Sequence, residues 1–113
     1  MGNADRQELG AELTASFCRM DPEIARRFAR VTFLSDNRAD LPKLQAPVLV
    51  LQCSDDIIAP RPVGDYLQRT LPNATLRIIE NVGHCPHLSA PSASMAAMDE
   101  FLEALPLHDR VRA

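Results

Sequence analysis

Aromatic surface is almost missing from this chain. There is no Trp, one Tyr and four Phe, so aromatics make up 4% of the 113 residues. That argues against a platform for stacking bases or sugars. Long apolar runs are also missing. The longest extend over five or six residues, where a membrane-spanning helix needs about 20. No charge of one sign dominates: 12 basic residues face 15 acidic ones for a net −3, dispersed along the chain. That leaves no basic face for nucleic acid and no patch for a membrane surface. Cysteine is scarce and odd in number. Cys18, Cys53 and Cys85 have no framework spacing, so they are expected as free thiols in a reducing cytoplasm. The opening residues Met1-Gly2-Asn3-Ala4-Asp5-Arg6 hold no apolar core of a signal peptide. Internal repeats and low-complexity segments are absent as well.

What is present is the profile of one globular domain, with 46% hydrophobic and 24% charged residues. Leu9, Leu13 and Phe17 recur every fourth position and predict a helix over Asp5–Arg19. Met20-Asp21-Pro22-Glu23 is a restart signal. Asp21 can cap, Pro22 suits the first helical position, and Glu23 favours the positive end of the helix dipole. Ile24, Phe28 and Val31 continue the apolar stripe, predicting a second helix over Pro22–Leu34. For Phe17, Phe28, Phe33 and Leu34, lining of a ligand pocket competes with ordinary helix packing, and the stripe favours packing for Phe28.

The centre of the chain carries the chemistry. Val48-Leu49-Val50-Leu51 has no polar alternation and reads as a strand covered on both faces. A helix follows over Pro62–Leu71, then a second strand over Thr75–Glu80, less apolar because of Arg77. Residues Pro86 to Pro91 are expected as a loop, with Ser89 able to cap a last helix that runs to about Ala104. Met95, Met98, Leu102 and Leu105 mark the expected buried stripe of that helix, and the tail from Pro106 is expected to fray.

Two parallel strands bring their C-terminal ends to one edge of a sheet. Asp56 and His84 lie just past those ends, so they can meet although 28 positions separate them (84 minus 56). An acid beside a histidine is two-thirds of a nucleophile–His–acid triad. On the residues alone other readings stay open. Asp56 also suits a turn carboxylate before Pro60, and a lone loop histidine is usually just solvated. Asp55 is the confounding neighbour, assigned to loop hydrogen bonding. A zinc site built from His84, Cys85, His87 and the two aspartates lacks the paired ligand spacing such sites prefer. His87 is expected to fix its loop by hydrogen bonding. Cys85 follows the base directly and so points elsewhere, as a buried thiol.

The order strand, Ser54-Asp55-Asp56-Ile57-Ile58-Ala59-Pro60, helix, strand, Gly83-His84 resembles the end of the α/β-hydrolase fold. The match sharpens over Ser16-Phe17-Cys18, Asp21-Pro22-Glu23-Ile24-Ala25-Arg26 and Phe33-Leu34-Ser35-Asp36-Asn37-Arg38-Ala39-Asp40-Leu41. With Leu51-Gln52-Cys53 and Gly83-His84-Cys85-Pro86-His87-Leu88-Ser89, these segments resemble the RsbQ-type hydrolases. Those are bacterial stress-response regulators close in fold to plant karrikin and strigolactone receptors. The resemblance covers roughly Asp5 to Leu105.

It implies an α/β class, as a partial α/β-hydrolase fold: the last two parallel strands with flanking helices. Residues 5–34 would be lid-end and core helices, and residues 46–105 the βαβα core segment, of the C-terminal part of a single domain. Asp56 matches the triad acid and His84 the general base. The implied substrate is a small apolar ester- or lactone-like molecule, with a regulatory protein partner and no metal or organic cofactor.

The departure is the nucleophile. None of the four glycines, Gly2, Gly10, Gly64 and Gly83, lies two residues before or after a serine. The family's Gly-x-Ser-x-Gly elbow therefore has no counterpart among these residues. A sheet of two parallel strands is itself incomplete. The expectation is a C-terminal fragment, hydrolytically inert alone. A non-catalytic interaction module, half of a split hydrolase and a truncated gene product are the alternatives.

Overall fold

A computed structural model describes residues 7–106. Its elements in order are α1 (Gln7–Cys18), α2 (Pro22–Leu34), a 3-10 turn at Leu41–Lys43, β1 (Val48–Asp55), α3 (Arg61–Thr70), β2 (Ala74–Val82), α4 (Pro86–Ser89) and α5 (Pro91–Ala104). The chain divides into two compact units, one reaching to Asp40 and one running from Leu41 onward.

In the first unit, α2 begins where its restart signal predicts. Asp21 is in an extended conformation, and its Oδ1 accepts from the backbone amides of Glu23 at 2.8 Å and Ile24 at 3.2 Å. Two of the amides that lack a partner inside the helix are thereby satisfied. Pro22 in the first turn sacrifices no hydrogen bond. The helix stops at Ser35, which returns to extended backbone while its amide still donates to the Val31 carbonyl at 3.0 Å. Ile24, Phe28 and Val31, expected to pack, are exposed. A stripe is buried only where another element packs against it. Of the helix expected over Asp5–Arg19, Asp5 and Arg6 lie outside the described residues, and Arg19 lies past the end of α1.

The second unit is built on a two-stranded parallel sheet. Val48 pairs with Ala74 and the register runs evenly to Cys53 opposite Ile79. Both strands extend past their expected ends, β1 to Asp55 and β2 to Val82. Between Cys53 and Asp55 the register shifts, so that Asp55 faces Val82 and β2 carries one extra residue. That is a bulge at the end of the sheet nearest Asp56 and His84.

Helix α3 covers one face. It approaches so closely that a methyl group on Gly64 would lie 2.8 Å from Gln52 Oε1 and 3.2 Å from Leu76 Cδ1. Helix α5 covers the other face, where Leu49 and Leu51 share an open hollow of about 370 Å³ with Met98, Phe101 and Leu102. Among the described residues the buried apolar side chains are few, Cys53, Leu71, Ile79 and Ala97, and only Cys53 is enclosed completely.

Several burial expectations are corrected here. The run Val48–Leu51 is half-buried instead of covered. On α5 the buried positions are the small Ser94 and Ala97, while Met95, Met98 and Leu102 stay exposed. The cause is width. Two strands about 4.8 Å apart make a strip roughly as wide as one helix, about 10 Å. Only the line of closest approach on each helix is covered.

The expected loop after His84 instead contains the single turn α4. Ser89 does not cap α5, since Ala90 occupies that place without a side-chain cap. The tail expected to fray lies outside the described residues beyond Pro106. No helix among the described residues is long and apolar enough to cross a membrane.

Candidate active site

Because β1 and β2 are parallel, Asp56 and Gly83-His84 leave the sheet at one edge. The backbone amide of Gly83 donates to the Asp55 carbonyl at 2.8 Å, holding the two exits side by side. Gly83 has φ 107°, a left-handed conformation that side-chain-bearing residues rarely adopt. This turn directs His84 back toward the end of β1. His84 Nδ1 and Asp56 Oδ2 are 2.7 Å apart.

The carboxylate is fully engaged. Asp56 Oδ1 accepts from the backbone amides of Ile58 at 2.9 Å and Ala59 at 3.0 Å, leaving Oδ2 to the imidazole. Burial on its own would raise the Asp56 pKa. The Ala59 amide, His84 and the Ile58 amide together outweigh burial and hold the carboxyl below its ordinary value. An ionised carboxylate only accepts, so Nδ1 is the donor and the neutral imidazole keeps its lone pair on Nε2. The Asp56 side chain is 4% exposed and the His84 side chain 44%. The acid is thus enclosed while the ring it orients is open to an incoming group.

Asp55, one residue earlier, is exposed, and its carbonyl makes the tie to Gly83. Loop hydrogen bonding was expected of it, and it makes that bond through the backbone. Adjacent strand residues alternate faces, which is why only one of the two acids reaches the histidine. Cys85 is half-buried, a free thiol. His87 is exposed, and among the described residues its side chain makes none of the hydrogen bonds expected to fix its loop. Among the described residues no three His, Cys, Asp or Glu side chains gather where they could hold a metal ion.

Four supporting side chains escaped sequence reasoning. Gln52, 5% exposed, donates through Nε2 to the Ala59 carbonyl at 2.8 Å and so anchors the far end of the Asp56 loop. Its signal was a polar residue directly following an apolar run. Ser54 supplies the hydroxyl that the bulge needs: the Asn81 amide donates to Ser54 Oγ at 3.1 Å. Asn81 Nδ2 donates to Ser89 Oγ at 2.6 Å. Nothing local flagged Ser54 or Asn81, and Ser89 was flagged only as a helix cap, because their partners depend on the bulge and on α4.

Residues 3–98 match the alpha/beta hydrolase family. The chain is 31% identical over 101 residues to a pimeloyl-[acyl-carrier protein] methyl ester esterase of Nitrosomonas europaea, covering 87% of this chain and 40% of that protein. It is 34% identical over 97 residues to a strigolactone esterase of Arabidopsis thaliana, covering 84% of this chain and 35% of that one. Among solved structures, a hydrolase from Oleispira antarctica superposes with a TM-score of 0.80 at 36% identity, over 87% of this chain and 36% of that chain. The chain therefore spans between about a third and two-fifths of the length of these relatives. Two parallel strands with flanking helices form a partial α/β-hydrolase fold, and the chain belongs to the alpha/beta hydrolase family.

Proposed function

We propose that this chain carries the acid–base half of a serine-type ester hydrolase of the RsbQ kind, with His84 as general base and Asp56 as the acid that orients it. The observation that supports this most is the 2.7 Å contact between a buried carboxylate and a half-exposed imidazole. With Nδ1 committed to Asp56, Nε2 takes the proton of an attacking serine hydroxyl as the new carbon–oxygen bond forms. The resulting imidazolium is stabilised by the Asp56 charge and returns the proton to the departing alkoxide. Water then repeats the sequence against the acyl group. General base catalysis of this kind contributes about 10²–10⁴-fold.

The serine comes from polypeptide other than these 113 residues, none of whose six serines has a glycine two residues away. Residues 5–34 are then lid-end and core helices, and residues 46–105 the last part of the hydrolase core. The substrate is a small apolar ester- or lactone-like molecule, a class consistent with relatives named for methyl ester and strigolactone esterases. Its turnover serves cytoplasmic stress signalling through a regulatory protein. A second reading, an interaction module or one half of a split hydrolase, draws on the sheet. Among the described residues β1 is paired on one edge only, and Leu49 and Leu51 border an open apolar hollow.

The test is p-nitrophenyl acetate hydrolysis by the purified chain, alone and combined with a relative's segment bearing the Gly-x-Ser-x-Gly elbow. His84-dependent turnover is expected in the combination only. Equal rates for His84→Ala and wild type in an active combination would remove the base assignment. Strong His84-dependent turnover by the chain alone would remove the division of labour.

A further inference from the structure

We propose that Asn81 and Ser89 are positioning residues for the His84 imidazole, acting as a clamp across the base of the loop that carries it. This rests on the reading of His84 as the base oriented by Asp56. Only Gly83, His84 and Cys85 connect β2, which ends at Val82, to α4, which begins at Pro86. One of the three is a glycine in the left-handed region, so the link has little stiffness of its own. On the near side it is held by the Gly83 amide on the Asp55 carbonyl.

On the far side the turn closes on one atom. The Cys85 carbonyl accepts from the amides of Leu88 at 3.0 Å and Ser89 at 3.1 Å, and from Ser89 Oγ at 3.0 Å. These bonds make α4 rigid within itself but do not attach it to the sheet. The bond from Asn81 Nδ2 to Ser89 Oγ, at 2.6 Å, is a direct polar tie between them.

Its direction is set by chemistry. An amide nitrogen only donates, so the serine hydroxyl accepts there and its single proton goes to Cys85. Asn81 is itself fixed, its amide donating to Ser54 Oγ at 3.1 Å and its Nδ2 lying 3.6 Å from the fully buried Cys53 Sγ. Ser89 is 6% exposed, so water does not readily replace the clamp. A relay thus runs from β1 through Asn81 and Ser89 to the carbonyl of Cys85, the residue after His84.

The measurement is the tautomer of His84, read from the ring nitrogens by ¹⁵N NMR on the full 113-residue chain at about pH 8, where an ordinary imidazole is neutral. Wild type is expected to hold the proton on Nδ1. Ser89→Ala is expected to release the ring into a mixture with the Nε2–H form that free imidazoles prefer, and Ser89→Thr to restore the wild-type pattern. A role limited to stability would lower the melting temperature and leave the tautomer alone. Should Ser89→Ala fail to fold, Ser89→Cys, nearly isosteric and a weak acceptor, gives the same readout. Asp56→Asn separates the two ideas. If it shifts the ring nitrogens while Ser89→Ala and Ser89→Cys do not, the clamp is overturned and the acid–base pair stands. If Asp56→Asn leaves them unchanged, both fall.

Discussion

Gly64→Ala offers a test of how tightly the acid loop is held. Two effects oppose each other. Alanine is favoured over glycine inside a helix by about 1 kcal/mol. The new methyl, however, would sit 2.8 Å from Gln52 Oε1, and ordinary contact begins at 3.4 Å, so the amide must retreat by about 0.6 Å. A free glutamine would move at little cost. This one is held, because Nε2 donates to the Ala59 carbonyl at 2.8 Å and to the Cys53 carbonyl at 3.1 Å. Giving up a buried hydrogen bond costs about 1–3 kcal/mol. The net expectation is destabilisation of about 1 kcal/mol, with loosening of the Asp56 loop.

The decisive comparison repeats the substitution in a Gln52→Ala background. There the amide is gone, and Gly64→Ala is expected to stabilise by about 0.5–1 kcal/mol, a reversal of sign. Urea unfolding followed by tyrosine fluorescence suits the purpose. Tyr66 is the only tyrosine, there is no Trp, and it lies on α3. If Gly64→Ala stabilises equally in both backgrounds, Gln52 is not anchored and its proposed hold on the acid loop is wrong.

Other expectations are checked by simpler means. The Asp56 carboxyl is held below its ordinary value, so its contribution to stability is complete above the unfolded pKa of about 3.9 and is lost as pH falls through the folded one. Asp56→Asn should therefore flatten the acid side of the stability–pH curve for the unit from Leu41 onward; an unchanged curve would mean that the carboxylate gains nothing from its partners. Asp21→Ala removes the acceptor for two amides at the start of α2 and should cost that helix about 1 kcal/mol. Far-UV circular dichroism of the variant should show lost helicity while the Tyr66 transition stays in place.

The carboxylate and imidazole of the site are inseparable from the packing that surrounds them, although each was visible in the one-dimensional order. Local chemistry was enough for Asp21 and Pro22 to start a helix and for two apolar runs flanking a helix to form parallel strands. That topology alone carries Asp56 and His84 to one edge, since parallel strands end on the same side. Burial along the apolar stripes departs from the periodicity for a related reason. Periodicity identifies the apolar face of α5, but whether Met95, Met98 and Leu102 are covered depends on how wide a sheet lies beneath them.

Tertiary structure decided which acid meets the histidine and what holds the pair. Strand residues alternate faces, so the choice between Asp55 and Asp56 turns on where β1 ends, and the return of His84 depends on a bulge and a left-handed glycine. Gln52, Ser54, Asn81 and Ser89 acquire their roles only when that register is set. A side chain's type announces that it needs a hydrogen-bond partner. Only the folded chain, bringing together groups as many as 27 or 28 residues apart, determines which partner it finds.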